Sequence, residues 1–182
     1  DAVRGEIDKR SAESQFILTG SAVPPDDSEI FHSGAGRIGW LKLRTMSLWE
    51  SGDSTGEVSL QSLFQNPAAV DGSSRINIDQ LAYLICRGGW PRGVNQRSKQ
   101  TALLQVKEYY EAVTRSDISR VDNVQRDPEL AKRIMRSYAR HQGAQASIAT
   151  ILADIRANET EALSENTISA YIKALRRIYV IE

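Results

Sequence analysis

Gly34-Ala35-Gly36-Arg37-Ile38-Gly39 has the letters of a G-x-G-x-x-G turn, whose backbone N–H groups meet a pyrophosphate between a strand and a following helix. The order is wrong here, because Arg37 to Met46 reads as a strand and the later acids Asp53 and Glu57 fall in a Gly/Ser loop, where neither can hold a ribose. No Gly-Lys pair occurs anywhere, so the chain has no P-loop of its own and is not a complete ATPase. His32 and His141 lack Cys or carboxylate partners at ligand spacing, and Cys86 lies on an apolar helix, so neither a metal site nor Cys–His catalysis is expected. Arg87, Arg92, Arg97 and Lys99 form a basic run without an acid, a surface that either meets phosphates or is simply solvated. Asn166, Thr167, Lys173 and Arg176 lie between the apolar positions of a C-terminal helix. Asn and Thr there could read bases, while Glu161 and Glu165 beside them would repel phosphates.

These residues sit in a chain of 182 with 23 basic and 23 acidic side chains and 41% apolar residues, which is globular composition and not that of a disordered chain. A formal charge of zero removes the global electrostatic case for nucleic acid or membrane, so any basic footprint is local. One cysteine forms no internal disulfide, and the opening residues show no charged and apolar leader pattern; a cytoplasmic protein is expected. Apolar runs such as Phe16-Ile17-Leu18 fall far short of the roughly 20 residues needed to cross a bilayer, and no membrane partner is expected.

Periodicity places the elements. Val3 and Ile7 predict a short helix over 1–10, and Gln15-Phe16-Ile17-Leu18-Thr19 reads as a buried central strand closed by Gly20. Ser21 to Gly36 is a Pro-broken loop, and Arg37 to Met46 a half-covered strand. Ser47 and Glu50 have capping-box spacing ahead of a Gly-rich cluster. Helices are predicted from Ser59, from Asn77 to Gly88-Gly89, and over 98–115. Asp127-Pro128-Glu129 starts a helix to about His141, and Ser147 and Ser164 cap two more. Ile178-Tyr179-Val180-Ile181 reads as a strand directly after the last; three helices and a strand predict a winged helix.

In their order along the chain, Gln15-Phe16-Ile17-Leu18-Thr19-Gly20-Ser21, Ser33-Gly34-Ala35-Gly36-Arg37-Ile38, Thr45-Met46-Ser47-Leu48-Trp49-Glu50, Gly88-Gly89-Trp90-Pro91 and Asp117-Ile118-Ser119-Arg120 resemble segments of one family. These are bacterial AAA-type ATPases that carry a winged helix and a C-terminal domain of unknown function; Thr45 stands where that family usually has proline. The resemblance implies an α/β remnant, the last strands of a P-loop NTPase core, over 1–52, then an all-α lid over 53–126 and a winged-helix-like domain over 127–182. It implies an internal fragment, inactive alone, whose partner is the missing N-terminal half of the core, with a homo-oligomer and DNA as further partners. ATP and Mg would bind only in the intact protein. There Thr19 or Ser21 would sense the γ-phosphate, Arg37 would act as an arginine finger, and Gly88, Gly89 and Pro91 would face the base. Lid motion would carry nucleotide state to the winged helix. Each position also has a plainer role: a helix cap for Thr19 or Ser21, a salt bridge for Arg37, a helix stop for Gly88 to Pro91. The alternative function is a winged-helix DNA-binding or transcriptional regulator with a scaffolding N-terminal part. A third is an adaptor that binds neither nucleotide nor DNA.

Overall fold

The computed structural model describes residues 2–10, 15–22, 39, 41–69, 71–157 and 163–182. The chain divides into two compact units, Leu41–Tyr110 on the one hand and Glu111–Glu182 with Asp1–Trp40 on the other. In the second, helix α1 spans Ala2–Arg10, with Glu6 paired to Lys9 and Arg10 one turn on.

In the Leu41–Tyr110 unit, the spacing of Ser47 and Glu50 gives a single closed turn. The Ser47 N–H and hydroxyl both donate to the Glu50 carboxylate at 2.8 Å, and the Glu50 N–H returns to Ser47 Oγ. Gly52, at φ 77°, ends that turn, with Gly52 N–H on the Trp49 carbonyl and Asp53 N–H on the Leu48 carbonyl, a Schellman pair. Helix α2, Leu60–Gln65, starts on Ser59, whose hydroxyl accepts the Ser62 N–H. Helix α3, Ile78–Arg87, starts on a full capping box, Asn77 with Gln80. Helix α4, Pro91–Val94, and helix α5, Lys99–Ala112, follow. Among the described residues of this unit the buried apolar side chains are Leu84 and Ala102, while Leu60, Phe64, Ile78 and Ile85 are largely exposed.

Past α5 the chain makes a π-helical turn, Val113–Asp117, and a short helix α6, Ile118–Arg120. Asp127 then caps α7, Pro128–Arg140, by accepting the N–H groups of Glu129 and Leu130. Helices α8, Ile148–Ala157, and α9, Glu165–Arg177, complete a bundle whose centre is Ile118, Ile134, Ile151, Ile168 and Leu175, all sealed from solvent. The corner before α7 is pinned twice. Arg126 grips both Asp122 oxygens and the Ile118 carbonyl, and the Asp127 N–H donates to the Tyr171 hydroxyl at 2.8 Å.

The expected α/β remnant is corrected: no strand occurs among the described residues. Residues 15–20 are irregular, as are 39 and 41–46 of the second expected strand. Ile17, Leu41 and Leu43 are each 92% exposed. A strand exists only through the ladder that a neighbour supplies, and an apolar run reports side-chain character without saying whether a neighbour is there. The winged helix loses its expected wing for another reason. Tyr179 adopts φ 58°, its N–H bonds the Arg176 carbonyl and the Val180 N–H bonds the Leu175 carbonyl, so 178–181 is the stop of α9. Ile178, Val180 and Ile181 are apolar because they fold back onto the bundle core. Among the described residues no helix is long and apolar enough to cross a membrane.

Leu175→Ala removes a fully buried side chain and is expected to cost about 3 kcal/mol. Leu43→Ala, at an exposed position, is expected to stay within about 0.5 kcal/mol. Denaturant unfolding of the two variants checks this, and equal losses would contradict the assigned core.

Candidate functional site

The last residue of α3, Arg87, carries its charge into the interior of the Leu41–Tyr110 unit, where it is only 6% exposed. Its guanidinium meets the Asp53 carboxylate at 2.8 Å and the Ser51 hydroxyl at 3.4 Å, and its Nε donates to the Gly88 carbonyl at 3.1 Å. The Ser51 hydroxyl donates to the same Asp53 oxygen at 2.6 Å. Burial pushes the Asp53 carboxyl up, but the bonds from Ser51 and Arg87 outweigh it and hold the group below its ordinary value. The closed turn at 47–53 is thus fastened to the end of α3.

A second fastening runs through the backbone. The Met46 N–H donates to the Gly89 carbonyl at 2.8 Å, so close that a Cβ on Gly89 would stand 2.0 Å from the Met46 carbonyl oxygen. Only glycine fits there. Gly88, at φ 65°, ends α3, and Pro91 opens α4 where its missing N–H costs nothing. Between them the Trp90 ring packs on Tyr109 at 5.0 Å between centroids, tilted by 42°. Tyr109 accepts from Gln105, which in turn accepts from Gln96. The Lys99 ammonium lies 4.9 Å over the Tyr83 ring. Trp90, Pro91, Arg92 and Arg97 all keep solvent exposure. The turn offers a flat apolar face with cations close by in sequence. The four residues of the turn carry no ionisable or nucleophilic side chain.

Gly89 is therefore brought against Met46 of the Thr45–Glu50 segment, which lies far from it in sequence, with Gly88 and Pro91 beside it in the turn. Arg87 leaves the basic run, because Asp53 neutralises it. Thr19 and Ser21 are exposed in an irregular segment, without the strand that was expected to carry them. Arg37, His32 and the glycines of 34–36 lie outside the described residues. On α9, Asn166, Lys173 and Arg176 are exposed, whereas Thr167 belongs to the cap, its N–H and hydroxyl both on Ser164 Oγ. Sequence reasoning missed the Arg87–Asp53 pair. The available signal was an arginine at the end of the amphipathic helix α3 and an acid, Asp53, in a Ser/Gly turn.

Residues 78–182 match the family model of a domain of unknown function, DUF8612. The match takes in more than half of the chain, from α3 through α9, and the chain belongs to that family. It contains Arg87 and the whole Gly88–Pro91 turn, while Met46 and Asp53 lie before it. No curated protein and no solved structure matches the chain.

Gly89→Ala is expected to break the Met46–Gly89 bond and to destabilise the Leu41–Tyr110 unit by about 2–3 kcal/mol, since the clash is with backbone that cannot step aside. Gly5→Ala meets nothing within 4 Å and serves as the control. Hydrogen exchange at the Met46 amide reads the effect, and unchanged protection in Gly89→Ala would contradict the described contact.

Proposed function

We propose that this chain serves as the helical, nucleotide-responsive part of an AAA-type ATPase. In this reading Leu41–Tyr110 is the lid, and the helices of Glu111–Glu182 are an adaptor that responds to it. The observation that carries the reading is the build of the Gly88–Pro91 turn. Its backbone is held by Met46 on one side and by Arg87 with Asp53 on the other, so Trp90 and Pro91 stand exposed on a rigid base. An exposed flat apolar face of this kind suits an adenine ring. The resemblance of Gly88-Gly89-Trp90-Pro91 to the lid segment of those ATPases supports the same assignment. This chain supplies base recognition only. The groups that cradle phosphate and Mg belong to a P-loop, which its sequence does not contain. Partner residues for hydrolysis come from elsewhere in the ATPase. The reading carries with it a cytoplasmic protein, a reducing setting that the lone, exposed Cys86 suits.

With the base alone recognised, Mg-ATP is expected to bind this chain no more tightly than about 1 mM. Photolabelling with 2-azido-ATP near that concentration is expected to mark residues 88–91. Adenosine should suppress the label and tripolyphosphate should not. Label scattered along the chain, or label that tripolyphosphate removes and adenosine does not, would overturn the assignment.

A further inference from the structure

The Glu111–Glu182 unit holds a polar cleft of about 460 Å3, lined by Arg115, Ser116, Ser119, Arg120, Asn123 and Gln125. The π-helical turn and α6 create it. Arg115 with Ser119, and Ser116 with Arg120, are four residues apart and so share one face, and Asn123, at φ 57°, closes the turn that follows. No carboxylate lines the cleft. Asp117 lies next to Ser116 but is not part of the wall. Asp122 is committed to Arg126 by two bonds of 2.6 and 2.7 Å. Glu111 lies between two cations, Lys132 at 3.0 Å and Arg115 at 2.7 Å. Arg120 is exposed and pairs with no carboxylate among the described residues. The Ser119 Oγ accepts the Arg126 N–H at 3.1 Å, which leaves its own proton to donate outward.

We infer that this cleft binds a small molecule bearing a phosphate group. The Arg120 guanidinium, the Arg115 N–H groups that Glu111 does not take, two hydroxyls and two carboxamides present a surface rich in donors, the complement of phosphoryl oxygens. No aliphatic or aromatic side chain lines it, so the remainder of the ligand is polar, as in a sugar phosphate or an inorganic polyphosphate. A nucleobase would need a ring or an apolar wall to lie on. The inference stands on residues separate from the Gly88–Pro91 turn and does not depend on the reading given to that turn.

Calorimetric titration of the full chain at low salt tests it, with glucose 6-phosphate, tripolyphosphate, glucose and a short duplex DNA as probes. At least one of the two phosphate compounds is expected to bind with a Kd of about 1 mM or tighter, and glucose is expected to give no heat. Arg120→Gln should weaken that binding about tenfold, the loss of one charge-assisted bond. Arg75→Gln, an exposed arginine of the other unit, should leave it unchanged. Because Arg120 is exposed, its variant is expected to keep the wild-type melting curve. Silence from both phosphate compounds at roughly ten times the expected Kd, or binding that Arg120→Gln leaves intact, would overturn the inference. So would binding of the duplex alone, which would make the surface a nucleic-acid backbone contact.

Discussion

A guanidinium keeps its charge under all ordinary conditions, so an arginine taken out of water needs a carboxylate and further acceptors around it. Arg87 imposes that constraint on the Leu41–Tyr110 unit. Asp53 answers the charge, the Gly88 carbonyl and the Ser51 oxygen take further N–H groups, and Ser51 in turn steadies Asp53. To deliver Asp53, residues 47–53 must close into one turn, which the Ser47–Glu50 capping box starts and Gly52 stops. To admit Met46 beside α3, residue 89 must have no side chain. The apolar contribution in this unit is small, with Leu84 and Ala102 buried and several large side chains exposed, so these polar fastenings carry a large share of its order.

The Glu111–Glu182 unit is built on the opposite balance. Its five sealed aliphatic centres come one or two from each helix, and its polar contacts sit at corners, where Arg126 joins Asp122 to the Ile118 carbonyl and Tyr171 receives the Asp127 N–H. The rigid corner positions the π turn and α6, whose outward residues form the polar cleft. A family whose model runs from α3 to the end of α9 therefore spans two differently stabilised parts.

Much of the helical framework was legible from local chemistry. Ser59, Asn77, Asp127 and Ser164 each accept the N–H groups that a cap must accept, and a cap acts over three residues, within the reach of sequence reading. The strands were not, because pairing is a property of two segments. Gln15–Thr19 and the segment ending at Met46 have the side-chain pattern without the partner, and Ile178–Ile181 owes its apolar character to a helix stop. The Gly88–Pro91 turn was legible as a helix stop. Its fastening was not, since Asp53 and Arg87 are 34 positions apart and no periodicity links them.

The order of the Leu41–Tyr110 unit rests most directly on the Arg87–Asp53 pair, and a double-mutant cycle with Arg87→Gln and Asp53→Asn measures it. Asp53→Asn leaves the buried Arg87 charge unpaired and Arg87→Gln the half-buried Asp53 charge, so a coupling of about 1.5 kcal/mol or more in unfolding free energy is predicted. Coupling indistinguishable from zero would mean that the two groups do not meet in solution, and that the Gly88–Pro91 turn is not held in the way described.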